Sequence, residues 1–256
     1  MDIRSYNREA WNREVEGGKN RWSQHVDAAT IAKSKQGEFS VLLTENIPVP
    51  HRWFPTLKGA DVLCLASGGG QQGPVLAAAG AHVTVFDNSP AQLKQDQLVA
   101  ERESLPLRTV EGDAADLSMF GDESFDLVFN PVSTVFMPDV RVVWRECSRV
   151  LRRGGILMTG FMNPVHYIFD LYKADEGLLE VTNSIPYSDL TSLSKEDLAD
   201  HLKKGLPVEF GHTLTDLIGG QCDAGFVITD LYEDYMLDSP LHHYHPSYIA
   251  TRAMKS

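Results

Sequence analysis

A glycine-rich turn holds the residues of this sequence that are best suited to bind a cofactor. Gly68, Gly70 and Gly73 follow the apolar run 62–66 and precede the helical segment 74–79. Between a strand and a helix, such a turn lets a ligand approach the backbone, where the N–H groups that begin the helix point outward. The turn therefore predicts a nucleotide-type cofactor site.

An acidic residue after the second predicted strand supports this interpretation. Asp87 lies 19 residues after Gly68, a distance that suits a carboxylate accepting hydrogen bonds from ribose hydroxyls. The spacing of Gly68, Gly70 and Gly73 also satisfies the dinucleotide fingerprint. Because a nicotinamide dinucleotide and S-adenosylmethionine both present adenosine, the glycines alone do not distinguish these two cofactors.

The elements around these residues alternate between short apolar strands and helices. This alternation is typical of βαβ units and a parallel sheet. The helix that begins after Asp139 is predicted to run to Leu151 and to be ended by Gly154 and Gly155. The last two strands have no helix between them, so they must be antiparallel. The predicted strands are 62–66, 82–87, 107–110, 125–130, 156–161, 226–232 and 248–252.

Four segments make the sequence resemble the class I S-adenosylmethionine-dependent methyltransferases. Residues 62–70 are similar to the first motif of that family, and Asp87 matches the acid that ends its second strand. Residues 112–114 resemble the turn after its third strand, and 149–157 resemble the segment that leads into its fifth. A dehydrogenase has no reason to combine that fourth segment with an antiparallel terminal pair. The resemblance implies methyl transfer from S-adenosylmethionine, of the small-molecule methyltransferase type.

The resemblance also implies a fold. We expect an α/β protein with a Rossmann-like, seven-stranded, doubly wound sheet, mostly parallel with an antiparallel terminal strand, in the order 3-2-1-4-5-7-6. We predict four parts along the chain: a helical cap and linker, a cofactor-binding core, an insertion that covers the substrate, and a helix with a strand pair that completes the core. Their boundaries are 1–60, 61–162, 163–211 and 212–256.

The expected cofactor contacts follow from the matching motifs. The resemblance assigns the ribose to Asp87 and the adenine amino group to Asp113. The sequence departs from the family at Cys64, where an acid is usual, and at Ala66, where glycine is usual. Arg21, Gln71, Gln72 or a backbone group must therefore hold the methionine end, and we expect Ala66 to keep a negative φ. The predicted cofactor-binding residues are Ser67, Gly68, Gly70, Gln72, Asp87, Asn88, Asp113, Ala114 and Asn130.

Candidate catalytic residues come from loops at the same edge of the sheet. His166 and Tyr167 follow the fifth strand, and His242 and His243 lie between the last two. Imidazole is suited to general-base catalysis near neutral pH. Adjacent histidines in an extended loop point in different directions and lack a closely spaced acidic or thiol partner, so no metal site is predicted.

The loop after the fourth strand carries a partial signal for the atom that accepts the methyl group. Asn130 and Pro131 resemble the first half of the Asn-Pro-Pro-aromatic motif of amino-directed methyltransferases, but Val132 and Ser133 depart from it. The sequence therefore leaves the acceptor atom open.

Composition limits the partners. The formal net charge is −12, so nucleic acid and anionic membranes would meet a repulsive surface, whereas a small-molecule substrate fits. No apolar run is long enough to span a membrane and no secretory signal is visible, so we expect a cytoplasmic protein. Three widely spaced cysteines argue against a disulfide framework. The sequence does not separate a monomer from a homodimer. Two alternative functions remain: an NAD-dependent oxidoreductase and a non-catalytic S-adenosylmethionine-binding protein.

Overall fold

A seven-stranded sheet lies at the centre of the computed structural model, which describes all 256 residues. The strands are β1 (Asp61–Leu65), β2 (His82–Asp87), β3 (Leu107–Glu111), β4 (Phe125–Asn130), β5 (Leu151–Met162), β6 (Tyr187–Ser188), β7 (Phe210–Gly211), β8 (Phe226–Asp234) and β9 (Tyr248–Lys255). Strands β1 to β5 pair in parallel, and β9 is antiparallel to both β5 and β8. Strands β6 and β7 form a separate two-stranded sheet.

Helices cover both faces of this sheet. They are α1 (Ile3–Gly17), α2 (Ala28–Ser34), α3 (Gln72–Ala78), α4 (Pro90–Glu103), α5 (Val140–Val150), α6 (Leu171–Asp175), α7 (Asp189–Ser192), α8 (Lys195–Lys204) and α9 (Gly220–Asp223), the last preceded by a π-helical turn, Thr215–Gly219. None of them combines the length and apolar character needed to cross a bilayer.

The strand order confirms the predicted topology. The sheet runs β3-β2-β1-β4-β5-β9-β8, which is the expected order once the two short strands outside the sheet are left out of the count. The antiparallel terminal pair has a simple cause. The connection from β8 to β9 contains only a short 3-10 turn, Pro240–His243, and a connection without a crossover helix returns the chain in the opposite direction.

Alternate residues of β1 face two apolar layers. Cys64 packs with Trp53 from the N-terminal segment, whereas Leu63 packs with Trp144 of α5, and all four are at most 1% exposed. A parallel strand covered on both faces carries this kind of continuous apolar run. The loops that follow the parallel strands lie together at one edge of the sheet.

The end of α5 corrects one prediction. The helix was expected to reach Leu151 and be ended by Gly154 and Gly155, but it ends at Val150, and β5 begins at the next residue. Both glycines lie inside the strand, and Gly154 has a φ of 76°. The register between β4 and β5 shifts at this point, which is characteristic of a β-bulge. The glycines therefore allow a bulged strand rather than end a helix.

The segments outside the sheet lie close to its carboxyl edge. Residues 1–60 contribute α1 and α2 and also bury Ile31, Leu43 and Trp53 in the core. Residues 163–211 carry α6 to α8 and the two-stranded sheet. The division of the chain into cap, core, cover and terminal pair stays a prediction.

Candidate active site

A cleft of about 900 Å³ opens where the parallel strands end. In open α/β sheets, ligands bind beyond the carboxyl ends of the strands. The volume lies near the upper end of the roughly 300–1,000 Å³ typical of small-molecule sites. The predicted cofactor contacts among its lining residues are Ser67, Gly68, Gln72, Asp87, Asn88, Asp113 and Ala114.

Asp87 holds the glycine turn against the end of β2. Its Oδ2 accepts a hydrogen bond from the Gly68 N–H at 2.9 Å, and its Oδ1 accepts one from the Ser89 N–H at 2.9 Å. Burial raises the pKa of Asp87, and the backbone donors oppose that rise. A Cβ at position 68 would lie 2.7 Å from the Cβ of Gln92. Glycine is therefore required for this close approach.

A second carboxylate lies beneath the turn. Asp96 of α4 is completely buried, and its Oδ2 accepts a hydrogen bond from the Gly69 N–H at 3.0 Å. Burial, together with the charge of Asp87, raises the pKa of Asp96 well above its usual value. Burial and the neighbouring Asp96 also raise the pKa of the Cys64 thiol, so this cysteine stays protonated and unreactive. Asp96 supplies an acid next to the turn, where β1 carries Cys64 in place of the usual acid.

Helix α1 closes one side of the cleft. The Nε of Arg4 donates to Asn88 Oδ1 at 3.2 Å and lies 3.9 Å from Asp113 Oδ2. The side-chain amide of Asn88 donates to the Arg4 carbonyl at 2.9 Å in return. Trp11 and Trp22 also line the cleft. Because the side chains of Arg4 and Asp113 are 50% and 36% exposed, their ion pair contributes little stability.

The far half of the cleft is apolar with a few acidic groups, and we call it the acceptor half. Its apolar lining includes Val132, Val135, Phe136, Met162 and Met236, and its polar lining includes Glu45, His166, Glu209 and Tyr248. Arg21 donates to Glu45 Oε1 at 3.0 Å, and the hydroxyl of Tyr248 donates to Glu45 Oε2 at 3.0 Å. The acceptor half therefore offers one carboxylate paired with a guanidinium and a second, Glu209, without a cationic partner.

Several buried polar atoms in the cleft have no hydrogen-bond partner. They are Ser67 Oγ and Gln92 Oε1 beside the glycine turn and His166 Nδ1 in the acceptor half. A buried polar group without a partner costs about 1–3 kcal/mol, so such atoms favour a polar ligand. With the closely packed turn and the Asp87 carboxylate, these atoms fit the ribose and amino-acid groups of S-adenosylmethionine.

Comparison with known sequences assigns the family. A model of the methyltransferase domain matches residues 63–159. The chain is also 48% identical over 254 residues to the uncharacterised methyltransferase YbaJ of Bacillus subtilis (strain 168), and the match covers 98% of each chain. The chain belongs to the class I S-adenosylmethionine-dependent methyltransferases. Its cofactor is S-adenosylmethionine, as predicted, and no finding supports a nicotinamide cofactor or a purely binding role.

Solved structures of methyltransferases share the fold. The geranyl diphosphate C-methyltransferase of Streptomyces coelicolor A3(2) superposes with a TM-score of 0.61 at 15% identity, covering 100% of this chain and 99% of that one. The 1,6-didemethyltoxoflavin-N1-methyltransferase of Burkholderia thailandensis superposes with a TM-score of 0.58 at 16% identity, covering 98% and 88%. The crystal structures of both proteins contain S-adenosylhomocysteine.

This family assignment defines what the methyltransferase's own residues must do. The bound cofactor supplies a methyl carbon on a positively charged sulfur. We expect Asp87 to orient the ribose and Asp113 the adenine, while the apolar side chains of the acceptor half exclude water. No covalent bond to the protein is required, since the reaction is a direct displacement.

Five predicted site residues do not line the cleft of the methyltransferase. Asn130 is completely buried, where its Nδ2 donates to the Leu65 carbonyl and to Ser133 Oγ, both at 2.8 Å. It therefore ties β4 to β1. His242 lies beside His243, and its Nδ1 is 2.6 Å from the Ser239 carbonyl. The five residues are Gly70, Asn130, Tyr167, His242 and His243.

Several residues that the structure places at the site were not identified from the sequence. Glu209 and Glu45 line the acceptor half, and Arg4 lies beside Asn88 and Asp113. All three come from segments without regular apolar periodicity, so nothing local distinguished them from exposed charged residues. Tyr167 does not line the cleft itself, but its hydroxyl donates to Glu209 Oε2 at 2.7 Å. Sequence analysis therefore singled out a neighbour of Glu209 and missed Glu209.

The backbone at Ala66 corrects another prediction. Its φ is +47°, whereas we expected a negative value. The Ala66 N–H still donates to the Phe86 carbonyl at 2.7 Å, as a residue of β1 would, but the chain then leaves the strand sharply. This sharp turn is the cause of the positive φ. A residue with a Cβ is strained in this left-handed region by roughly 1–2 kcal/mol.

Replacing Ala66 with glycine is therefore expected to stabilise the enzyme slightly. Relief of the strain exceeds the roughly 0.4–1 kcal/mol that glycine costs through the unfolded chain, leaving a gain of up to about 1 kcal/mol. Urea denaturation measures this change. The control is Ala100→Gly inside helix α4, which should cost about 1 kcal/mol. A loss at Ala66→Gly equal to that control would contradict the strain.

Proposed function

We propose that this methyltransferase transfers the methyl group to a small molecule bound in the acceptor half of the cleft. The proposal rests on the enclosure of that half. Leu43 and Glu45 border it from the N-terminal segment, and His166, Leu171 and Glu209 border it from residues 163–211. An enclosed apolar pocket with a few polar groups is typical of small-molecule sites.

The charge of the protein supports the same class of acceptor. A formal net charge of −12 repels a polyanion, which disfavours nucleic acid as the methyl acceptor. The two methyltransferases with similar folds are named for small-molecule substrates, didemethyltoxoflavin and geranyl diphosphate. The cytoplasmic location stays a prediction, and the sequence-based question of monomer or homodimer stays open.

The geometry favours methyl transfer by alignment. The glycine turn and the acceptor half belong to one continuous cleft, so a bound acceptor and the methyl carbon meet without crossing solvent. Holding two reactants in line contributes several kcal/mol to the barrier reduction, about 7–11 kcal/mol in favourable intramolecular cases. Apolar residues such as Phe136 and Met162 keep water away from the reacting atoms.

The test uses S-adenosylmethionine labelled in the methyl group. The enzyme is incubated with a cell extract that has been separated by ultrafiltration into small metabolites and macromolecules. We expect enzyme-dependent label in the small-molecule fraction and its loss in Asp87→Ala. Label that enters only protein or nucleic acid would reject the small-molecule acceptor, while leaving the cofactor assignment intact.

A further inference from the structure

Glu209 is a carboxylate with one oxygen free to meet a ligand. Its Oε2 accepts a hydrogen bond from Tyr167, no protein group donates to its Oε1, and the residue is half-buried in the wall of the cleft. The backbone around it is fixed, because the Glu209 N–H donates to Asp189 Oδ2 at 2.7 Å and the Tyr187 hydroxyl donates to Asp189 Oδ1 at 2.8 Å. A carboxylate held in this way is pre-organised to accept a proton or a cation.

The groups that face Glu209 carry no compensating positive charge. They are Tyr167, Tyr187 and Tyr248 and the carboxylate of Asp189. The imidazole of His201 lies on the other side of Asp189, with its Nε2 3.6 Å from Asp189 Oδ2, so it faces Asp189 rather than Glu209. Burial raises the pKa of Glu209 to about 7, the Tyr167 hydrogen bond opposes this rise, and the charge of Asp189 adds to it. A base whose pKa lies near the working pH is best suited to proton transfer.

His166 is a weaker candidate for the same role. Neither of its ring nitrogens has a hydrogen-bond partner in the protein, and Nδ1 is fully buried. Burial, with a smaller contribution from His245, lowers the pKa of His166 to about 4. The imidazole is therefore neutral at pH 7 and a poor proton acceptor, although it can still orient a ligand.

The charge of the acceptor half indicates what it would bind. Glu45, Asp175 and Glu209 line or border it. Arg4 is the only lysine or arginine in the lining of the cleft, and it is engaged at the adenine end with Asn88. Arg21 already pairs with Glu45, so an anionic acceptor would meet the carboxylates of Asp175 and Glu209, which have no cationic partner, whereas a cationic group would relieve the charge of Glu209.

We propose that the acceptor is a small apolar amine and that Glu209 binds its ammonium group and takes its proton. This inference rests on the proposed small-molecule methyl transfer and specifies its substrate class.

In the proposed reaction, proton transfer to Glu209 precedes methyl transfer. An N–H bond of the ammonium breaks and the proton moves to Glu209 Oε1, which leaves a neutral amine and a neutral carboxylic acid. The nitrogen lone pair then forms a bond to the methyl carbon as the carbon–sulfur bond breaks, and that electron pair stays on sulfur. The products are a methylated ammonium and a neutral thioether, and Glu209 releases its proton to solvent when the cleft opens.

The experiment measures binding of three probes of similar shape and different charge. They are 2-phenylethylamine, 2-phenylethanol and phenylacetate, each titrated by calorimetry into the enzyme saturated with S-adenosylhomocysteine. We expect the amine to bind at least tenfold more tightly than the alcohol and phenylacetate to bind least. Glu209→Gln should remove the preference for the amine while leaving S-adenosylhomocysteine affinity unchanged, and the exposed control Glu176→Gln should behave as wild type.

The pH dependence gives a readout that general loss of structure would not produce. The amine stays protonated from pH 6 to 8, whereas Glu209 loses its proton through about pH 7, so amine affinity should rise across this range in the wild type and stay flat in Glu209→Gln. Tyr167→Phe removes the hydrogen bond that lowers the pKa of Glu209, so the midpoint should move to higher pH.

These measurements separate failure of the proposed methyl transfer from failure of the amine proposal. An enzyme that does not bind S-adenosylhomocysteine would undermine the proposed function itself. Normal S-adenosylhomocysteine binding with no preference for the amine would overturn the amine acceptor and leave small-molecule methyl transfer standing. An amine preference that survives in Glu209→Gln would overturn the role of Glu209.

Discussion

Replacing Asp87 with alanine is expected to weaken S-adenosylhomocysteine binding by roughly tenfold to a hundredfold. The substitution removes a charged acceptor for the ribose, and a hydrogen bond to a charged group contributes about 1.5–3 kcal/mol. It also releases the N–H groups of Gly68 and Ser89, which Asp87 now fixes at 2.9 Å. Calorimetric titration measures the change in Kd.

Two further variants separate the effects of charge and geometry at Asp87. Asp87→Asn keeps a carbonyl oxygen for one of the backbone N–H groups and loses the charge, so its affinity should fall between those of the wild type and Asp87→Ala. Glu101→Ala removes an exposed acid on the following helix and should leave affinity unchanged. Affinity for S-adenosylhomocysteine that is unaltered in Asp87→Ala would remove the ribose role from this residue.

Replacing Gly160 with alanine is expected to lower the free energy of unfolding by about 3 kcal/mol or more. A Cβ at this position in β5 would lie 2.1 Å from the Leu43 carbonyl oxygen and 2.8 Å from its carbon, so backbone must move. Overpacking of this kind costs typically about 1–3 kcal/mol, and more where the obstacle is backbone rather than a flexible side chain. For a domain of this size, the loss corresponds to a fall in Tm of about 6–12 °C.

The matched control for Gly160 is Gly17→Ala at the end of helix α1. No atom lies within 4 Å of a Cβ built there, and glycine-to-alanine changes at compatible positions stabilise by about 0.4–1 kcal/mol. Thermal and urea denaturation of the two variants should therefore move in opposite directions. If Gly160→Ala unfolds at the wild-type midpoint, the close contact between β5 and Leu43 is not rigid.

Much of the fold could be predicted because its signals are local. The runs 82–87 and 125–130 were predicted with the bounds that β2 and β4 have in the structure. Each is a short apolar segment bounded by residues that favour turns or helix starts, so the pattern within a few residues suffices. The glycine turn and Asp87 could be identified for the same reason, since their spacing along the chain reflects one βαβ unit.

The acceptor half could not be predicted because it depends on contacts between distant segments. Glu209 meets Tyr167 across 42 residues, and Tyr248 meets Glu45 across 203. Their burial depends on how residues 163–211 and the N-terminal segment fold over the sheet, and neither segment has a repeating apolar pattern. Ala66 illustrates a different limit, because the residue type alone does not report the sign of its φ.

The buried Asp96 has a consequence for how this enzyme can vary. Burial, with a smaller contribution from Asp96, raises the pKa of Cys64, and Asp96 also accepts a hydrogen bond from the Gly69 N–H in the loop that follows the strand of Cys64. Asp96 has no ion-pair partner, and the charge of Asp87 already adds to the rise in its pKa, so a further carboxylate at position 64 would be strongly destabilising. An ancestor or designed variant with an acidic residue at position 64 of the strand would therefore need a neutral residue at position 96 of the helix. The two positions would have to change together.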